Sequence, residues 1–243
     1  MKKITRLIFF LLLSITSLLY SQRGSGVITY KQKIVIPEEN SKSSKNTYFS
    51  ALNRASNKKN AKASEYITYK LRFNEHAVSF KPEKVISIDD DIEEAMMHVR
   101  GDGERYFSTE NKVSLWAHDV FGRDIILVDT INSKEWTITK ETKIIGKYKA
   151  IKATKDRLLD NKKTIKIIAW FSPEIPNNYG PIGYYGLPGL ILEIQEKDFI
   201  IYATKVRFNK KPLKIDKPSK GDYMYRKEYD AYIDKAVIEY LTH

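Results

Sequence analysis

The chain has 243 residues, of which 42% are hydrophobic and 30% charged, and it contains no cysteine. That length suffices for one domain with a sizeable core, and the missing cysteine excludes disulfides, thiolate metal sites, iron–sulfur clusters, a cysteine nucleophile and a lipidated lipoprotein N-terminus. The formal charge is +12 and the bases are mostly lysine, whereas bidentate readout of phosphates and base edges falls to arginine, so the expectation is a solvated basic surface and no nucleic-acid partner.

In chain order, Lys2, Lys3 and Arg6 precede an apolar run from Leu7 to Tyr20, broken only by Ser14, Thr16 and Ser17. A basic start followed by a short apolar stretch is the pattern of a secretory signal peptide. The run falls short of the roughly 20 residues that span a bilayer as a helix. Cleavage is expected between Ser21 and Gln22, with an uncleaved anchor as the alternative. Residues 1–21 then form the signal peptide and 22–243 a single β domain. It would be exported to the periplasm, the outer membrane or beyond, and would not be an integral membrane protein.

Strand patterns follow. Val27–Ile36 is β-branched and ends at Pro37, and Tyr66–Phe73 places Ile67, Tyr69, Leu71 and Phe73 on one face at period two. Further strands are expected at Ala77–Phe80, Arg105–Ser108, Val113–Ala117, Ile125–Ile131, Glu135–Thr139, Tyr148–Lys155, Thr164–Phe171, Leu190–Gln195 and Ile200–Phe208. With no long helix between them for parallel crossovers, they read as a curved antiparallel sheet of about ten strands, a mainly β fold and a candidate half-barrel. Helical spacing of Tyr229, Ile233, Ala236, Val237 and Tyr240 predicts a C-terminal helix, and a shorter one fits Tyr48–Ala61. Ser41–Ser64 carries six bases and no acid, and reads as a solvated insertion between strands. The acidic block Asp89–Glu94 lacks the spacing and glycine of a calcium loop, and is expected to start a helix running to His98.

Catalytic patterns are not evident. The histidines, His76, His98, His118 and His243, form no H-E-x-x-H or i, i+4 pair. The chain has no G-x-S-x-G elbow and no G-x-x-x-x-G-K-[ST] loop. No pair of carboxylates is singled out for glycoside hydrolysis. The expectation is a chain that is not an enzyme and takes no cofactor or metal.

The informative stretch runs from Ala169 to Ile194 and holds half the prolines and over a third of the glycines. Trp170 ends one strand, and Leu190–Ile191 opens the next. Between them Pro173, Pro176, Gly180, Pro181, Gly186, Leu187, Pro188 and Gly189 specify an ordered crossing rather than a repeat or a phosphate loop. Leu187-Pro188-Gly189-Leu190 fits a type II turn, with glycine supplying the positive φ. The favoured reading is a structural plug that caps the end of the sheet, with the Trp170 ring beneath it; the alternative is a binding loop.

Gly186-Leu187-Pro188-Gly189-Leu190-Ile191, with Ala169–Pro176, Gly180-Pro181 and Ile145–Tyr148 upstream, resembles the GLPGLI family of Bacteroidetes envelope proteins. Members commonly carry a cysteine where this chain has Ala150. The resemblance implies an exported, mainly β protein of unknown activity, with no catalytic residues to carry over. The function expected is a non-enzymatic carrier or binding protein of the periplasm or outer membrane, taking an envelope protein or an apolar ligand as partner. The alternatives are an accessory partner of an outer-membrane transport system and a hydrolase with its site assembled across strands.

Overall fold

A computed structural model describes residues 24–36, 47–83, 90–130, 136–158 and 163–242; the expected signal peptide and its cleavage point lie outside them. The elements are β1 (Gly26–Ile34), α1 (Thr47–Ser64), β2 (Thr68–Phe73), β3 (Ala77–Pro82), α2 (Asp90–His98), β4 (Glu104–Ser108), β5 (Val113–Val120), β6 (Arg123–Thr130), β7 (Thr137–Ile145), β8 (Tyr148–Leu158), β9 (Thr164–Ser172), β10 (Leu190–Gln195), β11 (Phe199–Phe208), β12 (Asp222–Tyr225) and α3 (Arg226–Thr242). The fold is mainly β, as the sequence leads one to expect, with a C-terminal helix.

All the strands join one open sheet in the order β12-β6-β5-β4-β3-β2-β1-β11-β10-β9-β8-β7. Neighbours run antiparallel except β12, which lies parallel to β6. Most joins are hairpins, because tight turns return the chain at once: Phe121 and Gly122, both at positive φ, close β5 onto β6. The exception that ties the two halves of the sheet together is β1. It sits mid-sheet, paired on one side with β2 and on the other with β11 from the far end of the chain.

Alternation builds the core. Tyr69, Leu71 and Phe73 on β2, Ile28 and Tyr30 on β1, and Ile167, Ala169 and Phe171 on β9 are all at most 1% exposed and share one cluster. The Tyr69 and Phe80 rings stack with centroids 5.0 Å apart. One face of the sheet is therefore covered by packed side chains, and α2 adds Ile92, Ala95 and Met96 to the same cluster.

The two charge blocks meet. Lys59 of α1 pairs with Asp91 of α2, while Ser56 and Asn60 donate to the Glu94 carboxylate. The basic block is thus a docked helix with Asn60 and Ser64 buried, and the expectation of a solvated insertion is corrected for residues 47–64. Its charge makes sense once the acidic helix lies against it. At the other end, Tyr229, Tyr232 and Ile233 of α3 pack on Val120, Ile125 and Met224.

Candidate functional site

The crossing between β9 and β10 begins where Pro173 ends the ladder of β9. Its backbone groups are satisfied locally, as burial requires. Ile175 N–H donates to Ser172 O, Leu190 N–H to Ile175 O, Ile191 N–H to Tyr179 O and Gly186 N–H to Asn178 O. Tyr179 and Tyr185 form a β-bridge, and Pro181–Gly183 makes a 3-10 turn. The apolar anchors point inward: Ile175, Leu187, Leu190 and Ile191 are at most 1% exposed. The Tyr30 hydroxyl donates to Ile191 O at 2.7 Å, pinning the motif to the central strand.

Two glycines are required by contact. A Cβ on Gly180 would lie 2.6 Å from Ile191 Cβ, and one on Gly189 would lie 2.2 Å from Ser172 O. The expected type II turn is corrected. Gly189 N–H donates to Leu187 O at 2.8 Å, closing a three-residue γ-turn about Pro188, while Leu190 N–H is taken by Ile175. Gly189 has φ +153, a backbone conformation that side chains rarely adopt, so both that conformation and the close approach to β9 demand glycine there.

Trp170 does not lie beneath the crossing. It alternates with Ala169 and Phe171, which enter the core, and so faces the other side of the sheet, half-buried, with Lys143 Nζ 4.4 Å from its ring centroid. Strand alternation overrides proximity in sequence. The tryptophan that clasps the crossing is Trp136. Its Nε1 donates to Tyr185 O at 2.9 Å, and its ring meets Tyr184 edge-on at 6.0 Å. Phe107 of β4 packs on Tyr179 and Tyr185 at 4.2 and 5.8 Å. Burial pushes the phenols of Tyr179, Tyr184 and Tyr185 upward, so all three stay neutral donors near neutral pH.

The outer edge of the crossing is different. Pro176, Asn177, Asn178, Tyr179, Pro188 and Gly189 wall one side of a cleft of about 420 Å³. The far side comes from Gly24, from Phe73, Asn74 and Glu75 at the β2–β3 turn, and from Thr109. Asn74 is spent on structure: its Oδ1 accepts from His76 and Ala77 N–H and its amide donates to Leu213 O. Asn178 is exposed. A second hollow of about 220 Å³, sharing Gly24, Asn74 and Glu75, continues the cleft toward Asn209 and Pro212. Of the sequence-singled residues, Pro176, Pro188 and Gly189 reach this cleft. Gly180, Pro181, Leu187, Leu190 and Ile191 are buried, and Pro173 and Gly186 are exposed outside the cleft lining. The opposite wall escaped sequence reading, since nothing local marks Glu75 or Thr109 as facing a loop so far along the chain.

The described histidines do not converge. His76 pairs with Glu110 at 2.9 Å and His98 with Asp198 at 3.6 Å, while His118 is buried against α3. Among the described residues no three His, Asp or Glu side chains group as metal ligands, and no helix is long and apolar enough to cross a membrane.

The architecture is thus an open, twelve-stranded sheet with one packed face and a Pro/Gly crossing that both caps the core and borders a cleft. A family model described as a protein of unknown function (Porph_ging) matches residues 155–193, from late β8 into β10. No curated protein matches the chain. Two solved structures, both of PNGF-II in different space groups, are similar in fold: TM-scores are 0.53 and 0.52 at 15% and 14% identity, covering 88% and 87% of this chain. The chain spans about a third of those chains, 34% and 33%. This likeness corrects the expectation of a non-enzymatic chain, because PNGF-II is an enzyme of the peptide-N-glycosidase F family. At such identity the likeness carries the architecture alone.

Proposed function

We propose that the chain is an exported, GLPGLI-type module of the Bacteroidetes cell envelope that holds a hydroxyl-rich, glycan-like ligand in the cleft beside its Pro/Gly crossing. The observation that carries this reading is the double use of the crossing, whose buried half is anchored while Pro176, Asn177, Asn178 and Pro188 border open space. The exposed Asn178 amide and the Glu75 carboxylate offer donors and acceptors suited to hydroxyls, and proline rings offer apolar faces. A rigid loop loses little entropy on capture. The packed core face speaks for a polar surface ligand and against an apolar cargo held against the sheet. The likeness to PNGF-II is consistent with a glycan-related setting.

A glycan array probed with the purified chain tests the ligand class. Binding to a subset of glycans is expected, with loss in Asn178→Trp, whose indole would occupy the cleft, at an unchanged thermal midpoint. Failure to bind any glycan sinks the reading. Export is tested separately by the intact mass of the native protein, which should lack residues 1–21 and occur in the envelope fraction.

A second reading, an accessory partner of an outer-membrane transport system, draws on the open sheet edge. There β7 carries Ile138 and Ile144 at 50% and 67% exposure, and such an edge accepts a strand from another chain.

A further inference from the structure

The face of the sheet turned away from the core carries a groove of its own. On β2 and β3, Leu71, Phe73, Val78 and Phe80 enter the core cluster, so Arg72 and Ser79, paired with each other between them, look the other way. Lys81, Glu104 of β4 and Ala117 of β5 extend this floor. The segment between β11 and β12 forms the opposing wall. Its residues 212–219 run with neither helix nor strand, yet both ends are tied down. Leu213 N–H donates to Ser25 Oγ at 3.0 Å, and its carbonyl accepts from Asn74 Nδ2 at 2.8 Å. At the other end Pro218 O accepts from the Tyr223 hydroxyl at 3.1 Å, and Lys220 pairs with Asp124 at 2.6 Å. Between this strap and the sheet lies a cavity of about 350 Å³.

Lys211, Lys214, Lys217 and Lys220 recur at every third position of the strap, and the last three line the groove together with Arg72 and Lys81. Each described carboxylate nearby is engaged. Glu104 accepts from the Ser79 hydroxyl at 2.6 Å and from Lys81 at 3.3 Å, one on each oxygen. Asp216 pairs with Lys214 at 3.0 Å, and Asp124 and Asp119 both act on Lys220. Glu83 is taken by Lys70 and Asp222 by Arg123. Arg72 and Lys217 are left with no carboxylate partner among the described residues, the Lys217 ammonium lying 5.1 Å from the Tyr223 ring centroid. The Lys214 and Lys220 side chains are each 86% exposed, so their ion pairs are screened by water and yield to an incoming anion at little cost. The basic character continues along the sheet, since Val27 stands in register between Arg72 and Arg207.

We propose that this groove binds a linear acidic polysaccharide, one that carries uronate carboxylates or sulfate esters along its length. Lysines at every third residue, with Arg72 facing them, suit a chain of repeated charges better than a single small ion. Pro218 and the exposed Ser219 add an apolar ring and a hydroxyl suited to sugar. Nucleic acid fits less well. Four of the five lining cations are lysines, which act as point charges rather than forks, and no aromatic ring stands among the described lining residues for a base to stack on. The groove shares no lining residue with the cleft beside the Pro/Gly crossing and does not depend on it.

Calorimetric titration of the full chain with polygalacturonate, dextran sulfate, neutral dextran and a DNA duplex, at matched ionic strength, tests the proposal. The expected result is saturable binding of polygalacturonate or dextran sulfate, no binding of dextran, and weaker binding of DNA. Affinity for the acidic polymer should drop at least tenfold when Arg72→Gln and Lys217→Gln are combined, at an unchanged thermal midpoint, since both side chains are exposed. It should change less than twofold when Lys149→Gln and Lys166→Gln are combined, which removes the same charge from exposed positions of β8 and β9. Asn178→Trp should leave it unchanged, so the groove and the cleft can fail separately. A preference for polygalacturonate identifies a uronate, and one for dextran sulfate a sulfate ester. No saturation with either acidic polymer, an equal loss in the two combined variants, or DNA bound as tightly as the polysaccharide would overturn the proposal.

Discussion

Gly189 shows how a single missing atom sets the motif. A methyl group there would meet Ser172 O at 2.2 Å and Pro173 Cα at 2.8 Å, both backbone, so β9 or the crossing must move. Gly189→Ala is expected to cost about 2–3 kcal/mol, the range of core overpacking. Gly146, at φ +61 with nothing near its missing Cβ, should lose only about 1 kcal/mol as alanine, from backbone strain. Chemical denaturation of the two variants compares these values, and equal midpoints would mean that the crossing is not docked. His118 supplies a pH-dependent counterpart. The Trp116 carbonyl can only accept, so Nδ1 carries the proton, and the Tyr229 hydroxyl donates to Nε2 at 2.9 Å. Burial, with Arg105 and Arg226 adding to it against Trp116 O and Asp119, pushes the imidazole down to about 4. An unfolded chain takes up a proton near pH 6.5 that the folded one refuses until about pH 4. Stability therefore falls as pH drops through that window, by about 2–3 kcal/mol. Unfolding measured at neutral pH and near pH 4.5 should show this loss in the parent and a smaller one in His118→Gln.

At the scale of elements, Gln32 is the joint between strands and helices. Its amide donates to Ser64 Oγ of α1 at 2.8 Å and to Ala95 O of α2 at 2.9 Å, and its carbonyl accepts from the Tyr69 hydroxyl. Gln32→Leu would strand these buried groups at about 1–3 kcal/mol each. Hydrogen exchange should then show α1 and α2 opening before the sheet; unchanged protection in both helices would count against this role. Much of the sheet is legible in the sequence where one face is buried: Ile67, Tyr69, Leu71 and Phe73 alternate because water lies on the other side. Legibility fails at the edges. The length of β7 is hidden by Lys140, Glu141 and Lys143, all exposed or half-buried, and β12 has Met224 as its one buried residue. It fails too where the partner is distant in sequence. The helices' charges make sense only as the pair Lys59–Asp91, and the crossing announces itself by composition while Glu75 and Thr109 do not.

For the whole molecule, the decisive feature is where the first described strand lies. One wing of the sheet, β2 to β6 with β12, grows by local hairpins on one side of β1, and the other, β7 to β10, is held to it through β11. A chain ending at residue 198 lacks β11 together with β12 and α3 and is expected to lose cooperative unfolding, whereas one ending at residue 210, which lacks only β12 and α3, is expected to keep it; denaturation curves followed by Trp fluorescence compare the two, and a single sharp transition in the shorter chain would show that the wings join without β11. Tyr30 and the Ile191 carbonyl that it bonds are 161 residues apart, so the closing contacts carry a large loop-closure cost and rank among the slow steps of folding. The seam is thus also a clock: a chain made N-terminus first can raise its local hairpins early, but one side of β1 stays unzipped until β11 has arrived.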